Sequence, residues 1–143
     1  MLVRAMGWQN AANTPPPFSD RDGSDDELWR AVGILAARGI ARGYGDNTYS
    51  PHGPLLHIQA IGIIARSMVS AGYWSWQTDN PAVAPEIGGA DHRQEYATFL
   101  YYAGALPGVA PDGHWAGWDQ PATRGWFAQV LWQALASYWG TPR

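Results

Sequence analysis

Apolar residues recur along this chain at the spacing of amphipathic helices, in four separate stretches. In each stretch they fall every three or four residues, so they line one face of a helix and leave the other face polar. The four apolar stripes are Leu28, Val32, Leu35 and Ala36; Ile58, Ile61, Ala65 and Met68; Tyr96, Phe99, Leu100 and Ala103; and Phe127, Val130, Leu131, Ala134 and Tyr138. The pattern predicts an all-α chain with these stripes as its core.

Local signals predict where these helices begin and end. Ser24 and Glu27 form a capping-box pair ahead of the first stripe, in which the hydroxyl accepts from an amide and the carboxylate reaches back. Gly39 follows the first stripe and predicts a left-handed helix stop, and Gly104 is predicted to end the third stripe. Pro54 suits the first turn of the second helix, because no amide donor is needed there. The chain is therefore predicted to form helix, loop and helix, twice over.

This helix-loop-helix pattern is a sequence repeat. Residues 39–46 return as residues 104–112, and the apolar stretch 58–68 returns as 125–135, at offsets of 65 and 67 residues. Residues 1–8 match the end of such a unit. The aligned pairs are Leu2 with Ile64, Arg4 with Arg66, and Met6 with Met68. Because a unit of this size cannot bury its apolar face alone, neighbouring copies are expected to pack together.

The repeat predicts how the chain is organised. The predicted segments are a C-terminal helix remnant of a first unit at 1–8, a proline-rich connector at 9–17, a full repeat at 18–73, a connecting loop at 74–82 and a divergent repeat at 83–140. The prolines of the connector favour extended polyproline II conformation. Trp74 and Trp76 either cover the seam between the copies or form an exposed contact, and we favour packing.

The residues that carry the repeat resemble the S-layer homology (SLH) domain family. The segments 18–20, 28–31, 35–40 and 43–51 look like its pattern F-x-D, then W-A-x-x-A-I-x-x-L, then G-I-I-x-G-Y-x-D-G-x-F-x-P. Residues 121–128 look like its T-R-A-E-F-A segment. The resemblance covers nearly the whole chain apart from the stretch between the copies. It implies SLH units packed into a pseudo-threefold helical bundle, here with the first repeat truncated.

The same resemblance implies a ligand site at the start of the second helix of a repeat. The family's T-R-A-E arginine lines a groove that binds anionic secondary cell-wall polysaccharide, often carrying a pyruvate ketal, and Arg124 stands at this position. A guanidinium offers a planar fork to a carboxylate, and a helix N-terminus adds amides and the positive end of a dipole. Thr123 is the predicted N-cap, and a purely structural role stays open.

The first full repeat departs from the family pattern at this position. Leu56 and His57 occupy the places of the threonine and the arginine, which removes the permanent charge. His57 binds an anion only when protonated, or through a weaker neutral hydrogen bond. Gln59 and Trp126 replace the family's glutamate in the two repeats. At most one basic groove is therefore expected.

The loop ahead of the second helix supplies further candidates, which are Arg42, Tyr44 and Asp46 in the first full repeat and Trp118 in the second. Asp46 matches the aspartate of the family's G-Y-x-D-G turn and is expected to close that turn by accepting an amide. Trp29 and Trp115 match aromatic positions of the family and are expected to be packed. Trp118 has no counterpart, so we expect it to form an exposed platform.

Composition narrows the classes of function. The 143 residues carry a net charge of −3, which gives no electrostatic case for nucleic acid, and no Cys, which excludes disulfides and thiol catalysis. Nine Trp and seven Tyr are an unusual aromatic content that suits sugar rings and protein contacts alike. No apolar run approaches the ~18 residues of a membrane span. Residues 1–8 do not resemble a signal peptide. The SLH resemblance implies a protein that acts outside the cell, so we expect a leader and most of a first repeat to precede Met1.

Candidate catalytic and metal chemistry is sparse. His52 and His57 are poorly spaced for a metal pair. Residues 20–31 begin like a calcium loop but lack its glycine and its final glutamate. No pair of carboxylates sits on a recognisable glycosidase scaffold. We therefore predict no catalytic residue, no metal and no cofactor.

The SLH resemblance implies, and the sparse catalytic chemistry agrees with, a non-catalytic, extracellular module that anchors a protein or an assembly to anionic secondary cell-wall polysaccharide on a bacterial surface. The alternative is a structural subunit of a surface layer or an extracellular filament, whose degenerate repeats contact other subunits. A small carbohydrate-active enzyme is a further hypothesis, which the release of reducing sugar would reveal. We expect the chain neither to bind nucleic acid nor to span a membrane.

Overall fold

The computed structural model of the chain describes residues 2–8, 26–40, 55–78, 86–104, 106 and 114–139, and the regular elements within them are all helices. In chain order these are α1 (Leu2–Ala5), α2 (Asp26–Ala37), α3 (His57–Ser70), α4 (Ala90–Ala103) and α5 (Arg124–Trp139). The all-α prediction is confirmed for the described residues. The helices fall into two compact units, Met1–Pro54 and Leu55–Arg143.

The first unit contains α1 and α2, which pack against each other. Leu2 and Val3 are buried on α1, and Val32 of the predicted stripe is buried on α2. The Arg38 guanidinium lies 4.1 Å from the centre of the Trp8 ring, a cation–π contact between the ends of the two helices. A helix therefore occupies residues 2–5, and its origin as a remnant of an earlier repeat stays a prediction.

Two predicted helix stops are confirmed. Gly39 has a φ of +72°, and the N–H of Ile40 behind it donates to the Leu35 carbonyl at 2.9 Å, as in a Schellman motif. Gly104 has a φ of +84°, and its N–H donates to the Leu100 carbonyl at 3.1 Å. Glycine adopts these positive φ angles without the strain that a Cβ would add.

The second unit is built around α3, which contacts both α4 and α5, while α4 also contacts α5. The predicted stripe of α3 is confirmed, because all four of its residues are at most 1% exposed: Ile58, Ile61, Ala65 and Met68. Ala60 and Ile64 are fully buried too. Helix α3 is thus enclosed on more than the one face that its apolar periodicity predicted.

The stripes of α4 and α5 are confirmed in part. The residues buried as predicted are Tyr96, Phe99, Val130, Leu131 and Ala134. The residues that are only half-buried are Leu100, Ala103 and Phe127. The prediction is wrong for Tyr138, which is 52% exposed because its ring stacks on Tyr73, with centroids 3.9 Å apart, instead of entering the core.

Helix α3 begins at His57, later than a proline in its first turn would require. Leu55 and Leu56 are extended because they pair with residues 120–122, so the predicted helix start at Pro54 is wrong. Pro54 itself, the capping serine Ser24 and the loop residues 41–54 lie outside the described residues, as do the side chains of residues 26–29, Trp29 among them.

The two tryptophans after α3 have different environments. Trp74 is 4% exposed, its ring packs edge-on against Phe99, and its Nε1 donates to the Ser137 hydroxyl at 3.2 Å. Trp76 is 39% exposed. The predicted packing is therefore confirmed for Trp74 and wrong for Trp76.

An ion pair that the apolar pattern did not predict joins α3 to α4. Glu95 is 3% exposed and accepts a hydrogen bond from the Arg66 guanidinium. His92 Nδ1 lies 3.4 Å from the other carboxylate oxygen. Burial raises the pKa of Glu95, but the neighbouring His92 and the positive charge of Arg66 outweigh burial, and the pKa is lowered. Gly62 permits this contact, since a Cβ there would lie 2.7 Å from Glu95 Oε1.

Candidate functional site

The starts of α3 and α5 lie side by side, joined by a short antiparallel pairing of their backbones. Leu56 and Pro121 form the bridge. The N–H of Ala122 donates to the Leu55 carbonyl at 2.7 Å. The pairing therefore brings together the two positions that the sequence repeat aligns, which are the residues just before and at each helix start.

Protein groups close the start of α3. The N–H groups of its first two residues, His57 and Ile58, donate to the carbonyls of Gln120 and Trp118, both at 2.9 Å. The Gln59 side chain accepts at 3.0 Å from the N–H of the residue before the helix, the reciprocal half of a capping box. The first amides of a helix are the groups that bind anions. At α3, these three amides are already bonded within the protein.

His57 is held in place by aromatic rings and one hydrogen bond. Its ring centroid lies 4.4 Å from that of Trp126 and 5.8 Å from that of Trp115. Its Nδ1 lies 2.8 Å from the Gly117 carbonyl oxygen. A carbonyl only accepts, so Nδ1 carries a hydrogen and donates it. A neutral His57 then has only an acceptor at Nε2, and it donates to an anion only as an imidazolium.

Trp115 is the centre of this aromatic cluster, at 2% exposure, so its predicted packing is confirmed. Its ring also stacks on Tyr96 of α4, with centroids 5.6 Å apart. The backbone N–H of Trp115 donates to Glu86 Oε1 at 2.6 Å, and Glu86 Oε2 lies 3.0 Å from His114 Nδ1. The hydrogen bond from Trp115 lowers the pKa of Glu86, against the opposing effect of burial. These contacts fix the loop 114–120.

The start of α5 is built differently. Thr123 Oγ1 accepts from the Trp126 N–H at 3.0 Å, so Thr123 caps the helix with its own side chain. Arg124 is the first residue of α5 and is exposed, as is Gly125 behind it. No carboxylate in the described part of the chain is paired with Arg124. A guanidinium at the positive end of a helix dipole is thus presented to solvent.

The other candidate residues are only partly accounted for. Trp118 is half-buried, because the end of its ring lies over Gly88, 3.6 Å from where a Cβ would stand. The predicted exposed platform at Trp118 is therefore wrong. Arg42, Tyr44 and Asp46 lie outside the described residues. The structure thus brings Thr123 and Arg124 beside the helix start that carries His57.

Sequence reasoning missed two residues that shape this region. In the sequence, Trp126 was considered only as the residue that replaces the family's glutamate. An aromatic residue in the first turn of a helix could have indicated a packing contact there. No local pattern marks Glu86, because its partner Trp115 is 29 residues away along the chain.

The described residues contain no group of three or more side chains that could hold a metal ion. None of the helices in the described ranges is long and apolar enough to span a bilayer. The site consists of a capped helix start, one exposed guanidinium and a packed aromatic cluster. An exposed guanidinium at a helix start is chemistry suited to a carboxylate or another anion.

The described residues form an all-helical protein in which two helix starts lie side by side, one closed by backbone carbonyls and one presenting a guanidinium. Residues 17–61 match the model of the S-layer homology domain family, which supports the resemblance seen in the sequence. The matched segment runs from ahead of α2 into the first turn of α3 and includes His57, whereas Arg124 lies outside it. No curated protein and no solved structure matches the chain significantly.

The matched family has a general function. SLH domains are non-catalytic modules that bind cell-wall polysaccharides and associate proteins with the bacterial cell surface. The match at residues 17–61 therefore associates this chain with the cell surface and with anchoring to the cell wall.

Proposed function

We propose that this chain is a non-catalytic module that anchors a protein or an assembly to anionic secondary cell-wall polysaccharide, with the carboxylate of a pyruvate ketal as the bound anion. The start of α5 is the main binding site. The proposed ligand-binding residues are Arg124 and Thr123 at α5, His57 and Trp118 at the adjoining start of α3, and Arg42, Tyr44 and Asp46 in the loop of the first full repeat.

The observation that carries this proposal is the exposed guanidinium of Arg124 at the first position of a capped helix. A planar guanidinium binds a carboxylate through two parallel hydrogen bonds. The positive end of the α5 dipole attracts the same negative charge. Both effects act at one point on the surface, so a single carboxylate gains from both.

The adjoining start of α3 contributes less in this proposal. Its first amides donate to the carbonyls of Trp118 and Gln120, and His57 Nδ1 already donates its hydrogen to the Gly117 carbonyl. His57 therefore assists anion binding only when it is protonated. Binding is therefore expected to depend mainly on Arg124.

The proposal retains the repeat organisation expected from the sequence. Residues 1–8 are the remnant of a first unit, 9–17 a connector, 18–73 and 83–140 the repeats, and 74–82 the loop between them, in a pseudo-threefold bundle of an extracellular protein. The equivalence of the two helix starts supports it. Leu56 and Thr123 each directly precede a helix, at α3 and α5.

Isothermal titration with a pyruvylated disaccharide tests the binding site. The Arg124→Ala variant is expected to lose about 1.5–3 kcal/mol of binding free energy, the range for a hydrogen bond to a charged group. Arg124→Lys keeps the charge but loses the planar fork, so its affinity should lie between those of the wild type and Arg124→Ala. Arg4→Ala removes one positive charge from an exposed position on α1 and serves as the matched control, with unchanged affinity expected.

Two outcomes would overturn the proposed site. One is an equal affinity in the wild type and in Arg124→Ala, and the other is no binding in either protein. A pull-down with purified cell walls, before and after chemical removal of pyruvate, extends the test to the natural polymer. Retention that does not depend on pyruvate would remove the pyruvate ketal from the proposal.

A second candidate function is a structural subunit of a surface layer or an extracellular filament. The closed start of α3 favours it, because the first full repeat then offers no open helix start to an anion. This function predicts concentration-dependent assembly of the purified chain and no dependence of wall binding on Arg124. Analytical ultracentrifugation across a concentration series separates it from the anchoring function.

A further inference from the structure

A groove lies between the last turn of α4 and the middle of α5, away from the start of α5. Its volume is about 540 Å³, within the range typical of small-molecule sites. The large side chains that line it are Tyr101 and Tyr102 of α4 with Gln129, Trp132 and Gln133 of α5, and small residues including Ser137 complete the lining. No residue of the candidate anion site contributes to it.

The chemistry of this groove differs from that of a helix-packing surface. Its lining contains aromatic rings, carboxamides and small residues, with no aliphatic Leu, Ile, Val or Met and no charged side chain. The buried face of α5 instead carries Val130, Leu131 and Leu135. Helices pack through aliphatic stripes of that second kind. The groove is therefore not an unfinished part of the core.

Several groups in the groove are held before any ligand binds. Tyr102 stacks flat on Trp74, with centroids 5.1 Å apart and planes 5° apart, and its hydroxyl accepts from the Ser75 N–H at 3.0 Å. Gln133 Nε2 donates to the Ala103 carbonyl at 2.8 Å. Groups fixed in this way lose little conformational entropy on binding, which favours affinity.

The two rim aromatics remain open to solvent. Tyr101 is 69% exposed and Trp132 is 58% exposed, while Tyr101 meets Tyr102 edge-on with centroids 4.8 Å apart. Flat, rigid aromatic faces stack on the C–H faces of pyranose rings, and carboxamides such as those of Gln129 and Gln133 exchange hydrogen bonds with sugar hydroxyls. An uncharged lining has no counter-charge for an acidic sugar.

We propose that this groove binds an uncharged hexose or N-acetylhexosamine unit of a glycan, with Trp132 and Tyr101 as stacking platforms and Gln129 as a hydrogen-bonding partner. The site is distinct in place and in chemistry from the start of α5, and it does not rest on the anion-binding role of Arg124. A module with both sites contacts a glycan through charged and uncharged residues separately.

The test is a ¹⁵N-NMR titration of the full chain with a panel of neutral trisaccharides made of N-acetylglucosamine, β-linked glucose, α-linked glucose and mannose. At least one probe is expected to shift the amides of residues 101–104 and 129–137 saturably, with a dissociation constant on the order of a millimolar. Trp132→Ala should weaken that binding at least about tenfold. Tyr101→Ala, at a more exposed position, should weaken it in the same direction and provides a second variant if Trp132→Ala is poorly folded.

Matched controls separate this site from the anchoring site. Trp76→Ala removes a partly exposed tryptophan outside the groove lining, and Arg124→Ala removes the guanidinium at α5, and neither should change neutral-sugar binding. The proposal is overturned if no probe of the panel binds, or if the shifts map to the start of α5 and vanish in Arg124→Ala. Self-association of the wild type that Trp132→Ala abolishes, without sugar binding, would also overturn it and assign the groove to a second copy of the chain.

Discussion

The starts of α3 and α5 occupy equivalent positions in the sequence repeat and have opposite surroundings in the structure. At α3, backbone carbonyls take the first amides, and His57 packs against Trp115 and Trp126. At α5, Thr123 caps the helix with its own hydroxyl, and Arg124 faces solvent. One start is part of the packed structure, whereas the other is a charged surface.

The difference shows that equivalent positions in a repeat are not equivalent sites. The antiparallel pairing between Leu56 and Pro121 carries the loop 114–120 over the start of α3. Carbonyls of that loop accept hydrogen bonds from the first amides of α3, which are the groups that bind an anion at an open helix start. The position that aligns with Arg124 thus has a structural use at the start of α3. The predictions below test that division, from the largest expected effect to the smallest.

Removing the ring at the centre of the closed start should cost the most. Trp115→Ala is expected to lower the free energy of unfolding by about 3–5 kcal/mol, because Trp115 is 2% exposed and packs against His57, Trp126 and Tyr96. Urea denaturation measures the change. The control Trp76→Ala, at 39% exposure, should change stability by no more than ~0.5 kcal/mol. Similar losses in both variants would contradict a packed cluster.

A change in the α3–α4 contact tests stability without touching either helix start. Glu95→Gln is expected to cost about 3 kcal/mol, because it removes the buried carboxylate charge that pairs with the Arg66 guanidinium, whose side chain is 14% exposed. Binding at Arg124 should be unchanged in the folded variant. A loss below ~1 kcal/mol in urea denaturation would show that the attraction between the two charges does little more than offset the cost of desolvating them.

The same pair gives stability a defined pH dependence. The pKa of Glu95 is lowered in the fold, so the unfolded chain takes up the proton first as pH falls through the ordinary value of 4.5. The stabilisation is complete above that pH and is lost as pH falls through the lowered pKa. Glu86, whose pKa is also lowered, acts in the same direction. Acid unfolding of Glu95→Gln should therefore depend less steeply on pH than that of the wild type.

The structural use of His57 can be measured directly. His57→Ala is expected to cost about 1–2 kcal/mol, through the lost ring contacts and the lost hydrogen bond to Gly117. His57→Phe keeps a ring but not the hydrogen bond, so it should recover part of this loss. Full stability of His57→Ala would mean that the start of α3 is not closed by this residue.

The cap of α5 should contribute a smaller amount. Thr123→Ala removes the hydroxyl that accepts from the Trp126 N–H and is expected to cost about 1 kcal/mol. Thr123→Ser keeps the oxygen and should restore most of the stability. If serine and alanine behave alike in thermal denaturation, the methyl contacts of Thr123 matter and its cap does not.

Arg124 should contribute least to stability, although it is the main residue of the proposed binding site. Arg124→Ala is expected to change the free energy of unfolding by less than ~0.5 kcal/mol, because the side chain is exposed and unpaired with any described carboxylate. A loss as large as that of His57→Ala would erase the contrast between the two helix starts.

Local signals in the sequence were sufficient for much of the fold. The apolar period predicted the buried face of α3, and Gly39 and Gly104 marked helix ends, because periodicity and glycine φ angles act over a few residues. The repeat also aligned His57 with Arg124, and the structure places both at first helical positions. Helix periodicity and glycine conformation are set by residues that lie close together in the sequence.

Only the tertiary structure decided which aligned position is enclosed. His57 bonds to a carbonyl 60 residues away, and Arg66 pairs with a carboxylate 29 residues away. No local pattern encodes such partners. Tyr138 continued an apolar stripe yet stacks on the surface, and Trp118 was expected to be exposed yet lies over Gly88. Sequence periodicity states which face of a helix is apolar, whereas the packing of distant segments determines which side chains are covered.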